Sequence, residues 1–124
     1  MRNEKIVSRS ITTKRISLIF NTMKPIGLHN YFVYIITNKA KTVLYTGITN
    51  NLERRLSEHE LSSTNGFTGK YKCHYLLYWE RFQYVEAAIA REKEIKGWRR
   101  QKKVDLIDGF NPNWEFFNNS VKDE

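Results

Sequence analysis

Cysteine is almost missing from this chain: of 124 residues only Cys73 carries a thiol. A lone cysteine makes no internal disulfide and no cysteine-rich metal cluster. Such usage points to a reducing compartment, and a cytoplasmic location is the expectation. Long apolar runs are lacking as well. The longest, residues 31–36 and 75–79, are of strand length, far below the roughly 20 residues that span a bilayer. A secretory leader needs an unbroken apolar segment of about 7–15 residues. The nearest candidate, residues 16–20, is shorter and is interrupted by Ser17. No internal repeat and no low-complexity segment occurs. Acidic side chains are outnumbered, 13 against 21 Lys and Arg, which leaves a net charge of +8. That balance favours a polyanionic partner, nucleic acid first, against the plainer reading of solubility alone. The surplus is uneven: residues 1–22 hold five basic side chains and one acid, Glu4. The rest of the chain is only mildly basic, so charge by itself argues weakly.

The length fits one domain with one modest core. Residues 1–28 have no clear hydrophobic period and read as a disordered basic arm or an extension. Met23 offers a second start, and an Arg- and Ser-rich, acid-poor beginning also fits an organellar transit peptide. Residues 29–115 read as the folded domain and residues 116–124 as a frayed tail. Residues 29–37 and 43–48 are rich in β-branched and aromatic side chains, and the polar residues 38–42 between them make a hairpin. Alternation puts Val43, Tyr45 and Gly47 on one face of the second strand. Gly47 marks either a bulge or the close approach of another backbone.

A helix is expected from about Asn50, with Asn50 and Glu53 resembling a capping box. Leu52, Arg55, Leu56 and His59 fall on one helical stripe. Arg55 and His59 stand where a purely structural helix would be apolar, unless they lie at the stripe's edge and reach solvent. Residues 62–73 read as a polar loop that carries Lys70 and Lys72. A third strand follows over residues 74–82. The next helix, residues 85–96, has Val85, Ala88, Ile89, Glu92 and Ile95 as its inward stripe. A carboxylate there needs a cation, a metal or hydrogen bonds, and a salt bridge to Arg55 would suffice. A last helix is expected over residues 100–108, with Val104 and Ile107 inward and Gly109 as its stop. The expected fold is a small α/β domain: a three-stranded antiparallel sheet flanked by helices, in the order β-β-α-β-α-α.

Two tyrosines from one hairpin, an arginine and a histidine from the next helix, and one isolated glutamate from a later helix form a constellation. With these residues in view, the chain resembles the GIY-YIG nuclease family over about residues 29–115. The first motif stands as Phe32-Val33-Tyr34 and the second as Tyr45-Thr46-Gly47. Arg55 falls eight residues after the motif glycine, His59 one turn further, and residues 86–92 look like the family's glutamate helix, with Glu92 its metal ligand. The likeness is closest to the small single-domain members. Phe32 replaces the first motif glycine, Thr46 the second motif's isoleucine, and Ile48 a lysine that often follows.

The resemblance implies hydrolysis of DNA phosphodiester bonds by a metal-dependent endonuclease, with RNA not excluded as substrate. It implies one Mg²⁺ or Mn²⁺ on Glu92, where a single carboxylate and a water-rich shell suit Mg²⁺. Arg55 would bind the non-bridging phosphate oxygens through its planar fork. A motif tyrosine, taken as Tyr34 with Tyr45 second, would act as base on the water. Since a free phenol has a pKa of about 10, His59, Arg55 or metal-bound hydroxide would have to activate it. Gly47 would support the site, as would Asn111 or Asn113, Asn111 preferred. Lys70, Lys72, Lys96, Arg99 and Arg100 are candidate backbone contacts. On the expectation that no targeting domain accompanies the site, flaps, branches or single strands are the expected substrates, cut by a monomer without membrane partners. The rival from another class is a non-catalytic nucleic-acid-binding module on the same scaffold. A weaker rival is a structural protein with a buried Glu92–Arg55 pair.

Overall fold

The computed structural model describes residues 30–61 and 66–122. The expectations for residues 1–28 lie outside the described residues. Strands β1 (Tyr31–Thr37), β2 (Leu44–Thr49) and β3 (Tyr75–Phe82) form one antiparallel sheet in the order β2-β1-β3. Helices α1 (Leu52–Leu61), α2 (Gly66–Tyr71), α3 (Val85–Lys96), α4 (Arg100–Phe110) and α5 (Asn118–Lys122) surround it. The mixed α/β fold is therefore the expected one, with two short helices added. No helix among the described residues is long and apolar enough to cross a membrane.

The middle strand is buried without a break from Val33 to Thr37, which is why it reads as a continuous run rather than an alternating one. Asn38 closes the β1–β2 hairpin. Its Oδ1 accepts from the backbone N–H groups of Thr42 at 2.8 Å and Val43 at 3.0 Å, and its Nδ2 donates to Thr42 Oγ1 at 2.8 Å. An asparagine amide that mimics backbone in this way is favoured in turns. The turn fixes the register, and the register sets Tyr34 opposite Gly47. On the other side, β1 pairs β3 with a slip between Ile35 and Ile36, so Leu77 is the extra, bulged residue. Buried Asn111 pins that bulge by donating Nδ2 to the Leu77 carbonyl at 3.1 Å.

Helix α1 begins one residue later than its sequence pattern suggested, and its cap shifts accordingly. Asn51, not Asn50, accepts from the Arg54 N–H at 3.0 Å, while Asn50 Oδ1 accepts from the Arg54 side chain. Residues 62–73, expected as a loop, contain α2, whose Thr68 and Gly69 are buried. Helix α3 has the expected bounds but a rotated inner face. Ala88, Arg91 and Ile95 are its buried residues, whereas Ile89 is 39% exposed. Hydropathy pointed to Ile89; the fold instead buries Arg91 because Glu80, fully buried on β3, receives its Nε–H at 2.9 Å. A buried charge is tolerated when paired in this way, and Tyr78 adds a hydrogen bond to Glu80 at 3.1 Å.

Gly109 does not stop α4. The helix runs on to Phe110 and is capped at Asn111, whose N–H bonds to the Ile107 carbonyl at 2.6 Å. Phe110 earns its place in the core, where its ring meets Tyr78 at 5.0 Å and Trp79 at 5.3 Å. Residues 116–122 are not frayed. Phe117 N–H donates to the Leu76 carbonyl, and Asn118 bonds to both the Leu76 N–H and the His74 carbonyl, each at 2.8 Å.

Candidate active site

The hairpin register makes the first contact of the site. A Cβ at position 47 would overlap the hydroxyl and Cζ of Tyr34, so only glycine lets that ring lie across β2. Of the two readings of Gly47, close approach is the one observed, and what approaches is a side chain. The β1–β2 ladder continues through Gly47 without a slip.

Leu52, Leu56 and His59 are the buried side of α1. That side brings His59 onto Tyr34, with Nε2 at 2.9 Å from the phenol oxygen. Arg55, half-buried one turn earlier, donates Nε–H to the same oxygen at 3.4 Å. His59 Nδ1 lies 3.0 Å from the hydroxyl of Thr68 on α2. Burial, aided by the Arg55 charge, pushes the His59 pKa down from 6.5 to about 4. The ring is therefore neutral at pH 7 and has one donor and one acceptor nitrogen. Tyr34 is 1% exposed, so its hydroxyl proton needs an internal acceptor, and Arg55 can only donate. The consistent chain runs Arg55 Nε–H to Tyr34 oxygen, Tyr34 O–H to His59 Nε2, and His59 Nδ1–H to Thr68 Oγ1. Burial also raises the Tyr34 pKa from 10 to about 12 despite the Arg55 hydrogen bond, so Tyr34 stays a phenol.

Tyr45 faces open space instead. It lines a pocket of about 300 Å³ with Arg55, Glu58, His59, Gly66, Phe67 and Thr68. Its ring meets the His59 edge at 5.7 Å. Arg55 Nη1 reaches Glu58 at 2.9 Å across exposed surface.

Glu92 approaches from α3 without a hydrogen bond or ion pair to Tyr34, Arg55 or His59 among the described contacts. Its charge acts on Tyr34, and its carboxylate holds the Lys96 ammonium at 3.1 Å, which sits 5.8 Å from the Tyr45 ring centre. The Glu92–Arg55 salt bridge of the weaker, structural reading is absent among the described ion pairs: Arg55 pairs with Glu58 and Glu92 with Lys96. Asn111 spends both side-chain N–H groups on the Leu77 and Glu115 carbonyls, so it fixes β3 and the following loop rather than Glu92. Lys70 lies 5.3 Å from the centre of the Tyr71 ring. Lys72 and Arg99 are exposed.

Thr68 is a site contact that the sequence reading missed. A threonine inside a polar segment gives no local signal, and only the folding of α2 against α1 brings it to His59. No group of three or more His, Cys, Asp or Glu that could hold a metal occurs among the described residues. The donor set is one carboxylate, which fits a hard cation that keeps most of its water. The partly exposed Lys96 ammonium, in an ion pair of a kind worth about 0–1 kcal/mol, is a partner such a cation could displace.

The family described as the GIY-YIG catalytic domain matches residues 30–105, and the chain belongs to that family. Among individual proteins it is similar to a UPF0213 protein of Natronomonas pharaonis, 38% identical over 78 residues that cover 63% of this chain and 91% of the relative. A UPF0213 protein of Staphylococcus haemolyticus is 36% identical over 78 residues, covering 63% of this chain and 94% of the relative. The solution NMR structure of a UPF0213 protein from Bacillus halodurans aligns at 30% identity with a TM-score of 0.46, covering 69% of this chain and 90% of that one.

Proposed function

We propose that this protein is a divalent-metal-dependent endonuclease that hydrolyses DNA phosphodiester bonds, selecting its target by structure rather than by sequence. The observation that carries the reading is the convergence of Arg55 and His59 on the Tyr34 phenol oxygen, beside a pocket that Tyr45 and Arg55 line. Glu92 would hold Mg²⁺ or Mn²⁺, which when bound supplies charge neutralisation at the phosphate and stabilises the leaving oxygen.

The remaining chemistry falls to side chains. Arg55 keeps Nε on Tyr34 and turns its Nη groups to the non-bridging phosphate oxygens, displacing Glu58 from a solvent-exposed pair. Tyr45, the motif tyrosine that faces the pocket, meets the attacking water; acting as a phenolate, its own proton given up to the solvent in the open pocket, it takes the water's proton as the oxygen attacks phosphorus. Tyr34, buried and held protonated, orients Arg55 and His59 and does not take the water's proton. This reverses the order of the two tyrosines expected from the resemblance, because a base must touch the proton it removes. His59, neutral and fixed by Thr68, keeps the Tyr34 hydroxyl in place.

The test is nicking of supercoiled and branched DNA with Mg²⁺ or Mn²⁺ against a chelator control, with matched RNA in parallel. Arg55→Ala and Glu92→Ala should each lower the rate about 10²-fold or more, with circular dichroism unchanged. Tyr45→Phe should lose about 10²–10⁴-fold in rate. Binding without a nick under every metal would replace this reading with a non-catalytic nucleic-acid-binding module.

A further inference from the structure

Next to the pocket, three aromatic rings run in series out to solvent. Tyr45 stacks on Phe67 at 5.9 Å with 27° between planes, and Phe67 meets Tyr71 at 4.7 Å. Phe67 is 47% exposed and Tyr71 40%. Single exposed apolar side chains are ordinary on protein surfaces. Contiguous exposed rings at the rim of a pocket are not, and mark a binding surface. Phe67 lines the same pocket as Arg55 and His59, while the Lys70 ammonium lies 5.3 Å from the Tyr71 ring. Flat aromatic faces beside lysine are the pattern that holds single-stranded nucleic acid, because every base has a π-face and every linkage a charge.

We propose that Phe67 and Tyr71 form a stacking platform for an unpaired nucleobase next to the phosphate held by Arg55. The inference rests on the nucleic-acid reading of the site and names the substrate feature that reading leaves open. Inside a duplex each base is covered by its neighbours, so the platform engages only where a strand end, flap, bulge or gap leaves a base uncovered. Stacking reads no hydrogen-bond pattern. It therefore selects for strand structure and tolerates sequence.

The test measures binding of the full chain in chelator, so its outcome is independent of cleavage. Fluorescence anisotropy compares a duplex bearing a short single-stranded flap with the same duplex fully paired, the flap being DNA in one arm and RNA in the other. The wild type should prefer the flap. Phe67→Ala, and Phe67→Leu with its apolar bulk but no π-face, should weaken flap binding about tenfold and leave the fully paired duplex within about twofold. Phe67→Trp should retain flap binding. In case the variants fold poorly, the wild type is also photo-crosslinked to flaps carrying 5-iodouracil, and the adduct should map to Phe67 or Tyr71. Equal loss on flapped and paired DNA, or an adduct confined to other residues, would overturn the platform.

Discussion

His59 differs from a surface histidine because its ring is 3% exposed, sits beside the Arg55 guanidinium and is bonded at both nitrogens. Its pKa is lowered to about 4, so between that value and 6.5 the unfolded chain takes up a proton that the folded one refuses. Stability tied to His59 is thus complete above pH 6.5 and drains away as pH falls toward about 4. Tyr34 acts at the other end of the scale: with its pKa raised to about 12, stability declines as pH climbs from 10 through 12. Two measurements check this: an NMR titration, with the His59 ring expected to titrate near 4 rather than 6.5, and denaturant unfolding at pH 7 and pH 5. A midpoint near 6.5 would mean that the ring is solvated and the bonded chain through Tyr34 is not formed. Single residues were legible in the sequence where the anomaly was local. Arg55 and His59 stood out on an otherwise leucine stripe, and Gly47 stood out inside a strand. Arg91 was not legible, because the carboxylate that makes its burial tolerable lies on β3 rather than on α3, and nothing in residues 85–96 announces Glu80.

Elements were legible in proportion to their length and punctuation. The twelve residues of α3 end at Gly97, whose N–H closes the last turn on Lys93 and Glu94, and the sequence bounds coincide with the observed ones. Helix α2 has six residues, two of them glycine. That is too short for a hydrophobic period and too poor in helix propensity to announce itself; it forms because Thr68 and its neighbours pack under α1. The start of α1 is a finer case. Both Asn50 and Asn51 are caps by type, and only the fold separates them, by giving the Arg54 N–H to Asn51. Asn51→Ala should cost about 1 kcal/mol of stability, whereas Asn50→Ala should stay within about 0.5 kcal/mol. Urea unfolding of the two variants measures the difference, and a larger loss for Asn50→Ala than for Asn51→Ala would return the cap to its predicted place.

At the scale of the molecule, the sheet order β2-β1-β3 leaves β1 enclosed and both outer strands with a side to cover. The antiparallel sheet and the helices around it could be read from the alternation of strand-like and helical patterns, since each is a property of a contiguous stretch. The docking of residues 116–122 could not, because Asn118 reaches back 42 residues to Leu76 and a polar tail does not advertise so distant a partner. That docking has a consequence for association. Phe117 and Asn118 occupy the backbone groups of Leu76 and His74 that a neighbouring molecule's strand would otherwise claim, so the start of the outer edge of β3 is closed to strand pairing. Ending the chain after Glu115 should unmask the ladder. The truncated protein should then dimerise or aggregate in a concentration-dependent way in sedimentation velocity, at loadings where the full chain keeps a constant sedimentation coefficient.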